Sequence, residues 1–104
     1  MSSTPSESEK IEQEPSSVDI SLLDIYQLLS LFVMLLSEQA WRYTGLRVYP
    51  GTNEIKKDLV KAHVAIDCII ALVDKMEPYV DDAEKERLRR LITDLQINYA
   101  EQMK

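Results

Sequence analysis

The chain has 104 residues, 45% hydrophobic and 29% charged, with a net charge of −6 and a pI near 4.7. This size and balance fit one small soluble domain. The acidic surplus disfavours nucleic acid, whose phosphates are held mainly by Lys and Arg, and disfavours anionic membrane surfaces. The single cysteine excludes an intrachain disulfide framework and a multi-thiolate zinc site within one chain, and fits a reducing cytoplasm.

Residues 1–17 are rich in Ser and Glu, contain Pro5 and Pro15, and offer one aliphatic residue, Ile11. Such a stretch buries too little apolar surface to offset its ordering entropy, so a disordered acidic tail is expected there. It lacks the basic-then-apolar pattern of a signal peptide. A single helical domain is expected over residues 18–104.

The first helix is expected over about 19–43. Ser21 with Asp24 has the spacing of a cap, with Ser17 and Asp19 as an earlier start. Its middle, Ile25 to Leu36, is apolar on nearly every side of a 3.6-residue wheel. A helix of that kind is covered all round, and two further helices of a small chain cover only part of it. A second copy of the chain is the simplest cover. The surface expected to meet it comprises Leu29, Phe32, Val33, Met34, Leu36 and Trp41, with Ile97 as an isolated apolar residue on the third helix. Asp24 and Glu38 bracket the run and leave it shorter than the ~20 apolar residues of a spanning helix. Gly45 is a natural stop.

A loop follows, with Arg47 and Tyr49 as packed surface residues and Pro50-Gly51 as a turn. The second helix is expected over about 54–77. Ile55, Leu59, Ala62, Ile66, Ile69, Val73 and Met76 form its inward stripe. Val64, Cys68 and Ala71 extend the apolar surface round the side, and Lys56, His63, Asp67 and Asp74 form a polar strip. Cys68, among isoleucines and with no base beside it, is expected to be a buried, inert thiol. Pro78 ends the helix.

The third helix is expected over about 82–103. Asp81 and Glu84 have capping-box form, and Leu88, Leu91, Ile92, Leu95, Tyr99 and Met103 make a narrow stripe. The fold class is therefore all-α, with three helices in an antiparallel arrangement.

Few residues suggest chemistry. His63 and Asp67, four apart on one helix, can meet, but a metal site needs three or four converging ligands and the chain has no second histidine. No catalytic, cofactor-binding or metal residue is assigned. Lys85 to Arg90 is basic, but its charges fan round the helix and are interrupted by Glu86. There is no glycine-rich phosphate loop and no nucleophile elbow.

Phe32-Val33, Gln39-Ala40-Trp41, Gly45-Leu46, Pro50-x-Thr52, Asp58-Leu59, Ile66-Asp67 and Asp94-Leu95-x-Ile97-x-Tyr99 occur in this order. Together they resemble a bacterial family of small helical proteins, the domain of unknown function 1844, over about residues 21–101. The chain departs from the usual pattern in the loop, where Asn53 follows Thr52, and at Tyr43-Thr44-Gly45. The resemblance implies a small all-helical cytoplasmic protein and brings no established activity, cofactor or catalytic residue. In some bacteria the family's genes lie near those for translation initiation and ribosomal proteins.

The leading expectation is a non-enzymatic interaction protein that self-associates through helix 1, a dimer before any higher oligomer, with room for an unidentified protein partner. A ribosome- or RNA-associated accessory factor is the alternative. It rests on that genomic setting and is opposed by the charge.

Overall fold

A computed structural model describes residues 19–48 and 50–104. The expected tail and Tyr49 lie outside the described residues. Three α-helices are formed there: α1, Ile25–Tyr43; α2, Leu59–Met76; and α3, Asp82–Gln102. Short 3₁₀ turns, Ile20–Leu22 and Glu77–Tyr79, precede α1 and follow α2.

Each helix opens on an aspartate whose carboxylate accepts the backbone N–H three residues on. Asp24 takes Gln27, Asp58 takes Lys61 and Asp81 takes Glu84, at 2.9, 3.1 and 2.8 Å. A cap of this kind satisfies an amide that the helix cannot, and is worth about 1 kcal/mol. At α1 the box is complete, because the Gln27 side chain also accepts from the Asp24 N–H. At α3 only the aspartate half forms, since Glu84 turns instead to Arg87.

These caps move two expected boundaries. Asp19 caps only the 3₁₀ turn, through Ser21, and α1 begins six residues later than expected, at Ile25. Residues 54–58 are not helical, and α2 begins at Leu59 rather than near 54. The Asp58 N–H donates to the Tyr43 carbonyl, which holds the loop's end against the end of α1, while the Asp58 side chain starts α2. Ile55, expected on the inward stripe, therefore sits in the loop and is exposed.

Helix α1 stops through a paired backbone motif. Gly45 N–H donates to Arg42 C=O and Leu46 N–H to Trp41 C=O, at 3.0 and 2.9 Å. Gly45 holds φ +93°, a conformation that side-chain-bearing residues rarely adopt.

The α1 and α2 helices pack antiparallel along their length, and α3 lies mainly on α2, antiparallel to it, touching α1 lightly. The core runs along α2: Ala62, Ala65, Ile66, Ile69, Val73 and Met76 meet Val33 and Ala40 from α1 and Leu88 and Leu95 from α3. The expected inward stripes of α2 and α3 are largely those observed. Met103, expected to continue the α3 stripe, lies beyond the last turn and is exposed. No described helix is long and apolar enough to cross a membrane.

Candidate interaction surface

Because α3 sits to one side of the α1–α2 pair, the other side stays open. Along α1 that side carries Ile25, Leu28, Phe32 and Leu35, spaced three, four and three apart. That spacing is the seam of a helix packed against a further helix. Phe32 is 43% exposed and Leu35 is 50% exposed, values high for large apolar side chains in mid-helix. Beside them α2 presents Val64, Cys68 and Ala71, all exposed.

Two adjoining hollows occupy the seam between the helices. One, about 500 Å³, is lined by Phe32, Leu35, Leu36, Cys68, Ala71 and Leu72, all apolar apart from the thiol. The next, about 250 Å³, adds Gln39, Tyr43, Lys61 and Val64. Cys68, expected to be buried, is exposed at the junction of the two. Its position on the wheel is apolar, but α3 covers the opposite flank of α2.

The residues expected to form the association surface divide into three groups. Val33 is turned inward, at 3% exposure, and belongs to this chain's own core rather than to an outer surface. Leu29, Leu36 and Trp41 are half-buried and pack against that core. Phe32, Met34 and Ile97 are exposed, but on different sides. Phe32 lines the groove, Met34 lies about 160° round α1 from it at 100° per residue, and Ile97 is on the far side of α3 from its buried Leu88 and Leu95. Leu35, not among the expected residues, completes the groove. Its signal in the sequence is the three-four-three spacing from Ile25.

His63 and Asp67 do meet, Nε2 to Oδ2 at 3.1 Å, and the Tyr99 ring lies 5.7 Å from the imidazole, centroid to centroid. Both partners are exposed. Among the described residues no group of three or more His, Cys, Asp or Glu side chains converges as a metal site would require. The pair is two groups one turn apart on the exposed face of α2.

The arginines of α3 are held by carboxylates. Arg87 forks onto Glu84 at 2.9 and 2.6 Å, and Arg89 onto Glu77 at 2.6 and 3.0 Å. Arg90 lies 3.8 Å from Glu86. The Arg89 hydrogen bond holds the Glu77 carboxyl below its ordinary value, and the Arg87 hydrogen bond does the same for Glu84. A carboxylate beside each of these arginines offsets its charge and weakens its pull on a phosphate.

The model of the family described as Domain of unknown function (DUF1844) matches residues 26–101, which spans all of α2 and all but one terminal residue of α1 and of α3. No curated protein and no solved structure matches the chain.

Proposed function

We propose, for a chain that belongs to the domain-of-unknown-function family DUF1844, a non-enzymatic role as a small cytoplasmic interaction protein that self-associates through α1. The observation that carries this reading is the open apolar seam of Ile25, Phe32 and Leu35, with half-buried Leu28 among them, along the groove between α1 and α2. Contiguous apolar surface of this kind marks a place where a protein meets another. A two-fold dimer is the commonest way to cover it with a second copy.

The size of the face is suited to that task. Helices of 18 and 19 residues are about 28 Å long, and two side by side present a projected area of roughly 560 Å². Stable interfaces bury about 800 Å² of accessible surface on each partner, and accessible area exceeds projected area on a corrugated face. The alternative, an RNA-associated factor, gains no support from the charge arrangement, since the arginines of α3 already face carboxylates.

Leu35→Glu tests the reading. It places a charge in the middle of the seam while leaving the chain's own core intact. A dimer that falls to single chains with its helix content retained is the expected result. A variant whose mass matches that of the unmodified protein counts against the surface.

A further inference from the structure

We infer, on the reading that this face pairs with a second copy, that α1 of each protomer packs against α2 of its partner rather than against the partner's α1. Side-chain size decides between the two. On α1 the open face carries Phe32 and Leu35 with half-buried Leu28 beside them, and on α2 it carries Val64, Cys68 and Ala71. Each protomer thus offers a ridge of large side chains beside a trough of small ones. Protein interiors are packed near the density of organic crystals, and facing helices reach it by setting large residues against small.

Two symmetric arrangements bring the faces together. With the two-fold axis across the helices, ridge meets ridge and trough meets trough. One seam is then overfilled and the other holds a void. With the axis along the helices, each ridge lies over the partner's trough, and both seams fill alike. Every neighbouring pair of helices is antiparallel in either case, so helix direction does not separate them.

The axis along the helices also keeps each residue at its own level. Phe32 and Leu35 line one hollow with Cys68 and Ala71, while Gln39 and Tyr43 line the next with Lys61 and Val64. Leu35 of one protomer therefore comes opposite Cys68 of the partner subunit, and Phe32 comes opposite Ala71 of the partner subunit. The two Cys68 residues lie on the diagonal of a four-helix arrangement. With neighbouring axes about 10 Å apart, that diagonal is about 14 Å between axes and about 9 Å between Cα atoms that face each other across it. A disulfide requires Cα atoms within about 7 Å.

Single-cysteine chains test this, because Cys68 is the one cysteine of the sequence. Unmodified full-length protein is mixed with the Leu35→Cys/Cys68→Ser variant, unfolded and refolded together to exchange protomers, oxidised gently and run on a non-reducing gel. Phe32→Cys/Cys68→Ser mixed with Ala71→Cys/Cys68→Ser gives a second, independent pair in case one variant folds poorly. The expected result is a covalent dimer many-fold stronger in each mixture than in either chain alone. Covalent dimer forming as readily from the unmodified chain alone, through Cys68, would overturn the inference while leaving the dimer standing. So would a dimeric mass by light scattering with no cross-link in either mixture. A single-chain mass for the unmodified protein would overturn the dimer and this pairing together.

Discussion

The Asn98 side-chain amide donates to the Thr44 hydroxyl at 2.6 Å, joining residues 54 positions apart. Thr44 is fully buried at the end of α1, and its hydroxyl in turn donates to the Trp41 carbonyl. This link ties the C-terminal half of α3 to the end of α1, a pair of helices that otherwise touch little. It sits on the same end of the bundle as the Asp58-to-Tyr43 backbone bond.

Removing either partner of that link is therefore expected to loosen α3. Asn98→Ala leaves the Thr44 hydroxyl still bonded to Trp41 and should cost about 1 kcal/mol. Thr44→Val also strands the half-buried Asn98 amide and should cost about 2 kcal/mol. A double-mutant cycle from urea unfolding should give a coupling of roughly 0.5–1.5 kcal/mol. Strictly additive losses would show that the bond contributes nothing of its own.

The two glycines separate backbone strain from crowding. Gly45 and Gly51 both have positive φ, +93° and +78°, but a Cβ on Gly45 would also meet the Lys57 side chain at 3.1 Å, whereas Gly51 faces open space. Gly45→Ala should destabilise by about 1–3 kcal/mol and Gly51→Ala by about 1 kcal/mol. Equal shifts in the thermal midpoint would mean that the Lys57 side chain yields freely.

The acid limb of stability should respond to α3's ion pairs. Glu77 and Glu84 have carboxyls held below their ordinary 4.5 by Arg89 and Arg87. A depressed folded-state value means that the unfolded chain takes up the proton first. The stabilisation is then present above about pH 4.5 and fades as pH falls through the lower folded-state values. Glu77→Gln should flatten the loss of stability below pH 4.5 and leave its slope near neutrality unchanged. Because both pairs are at the surface, the effect is small. An unchanged acid limb in the variant would contradict the assignment.

Much of this architecture was legible in the sequence, and the places where it was not have physical causes. The inward stripes of α2 and α3 follow from helical periodicity, and the end of α1 from Gly45, because each depends on neighbours a few residues away. The start of α2 did not follow from pattern. Ile55 lies at helical spacing from Leu59, but Asp58 captures the Lys61 amide and a tertiary bond to Tyr43 holds the preceding loop extended. The inward side of α1 was hidden because that helix is apolar nearly all round, so Val33 and Phe32 looked equivalent. Cys68 was misplaced for the same reason one helix later, since periodicity does not say on which flank of α2 the third helix will lie.

Val33 and Leu35 now separate folding from association. Val33→Glu puts a charge into the core and should cost roughly 3–5 kcal/mol, enough to unfold a marginal domain. Leu35→Glu should leave the helical circular dichroism of dilute protein nearly intact. If the two variants lose helix content equally, folding and association are inseparable, as in an obligate dimer with no stable folded monomer.

Light scattering on the unmodified full-length chain at tens of micromolar is the most direct measure of the central claim, self-association through the open face of α1. The expected mass is twice the 12.0 kDa of one chain, falling toward a single chain on dilution or in the Leu35→Glu variant. A well-folded species with the mass of one chain across that concentration range would contradict it.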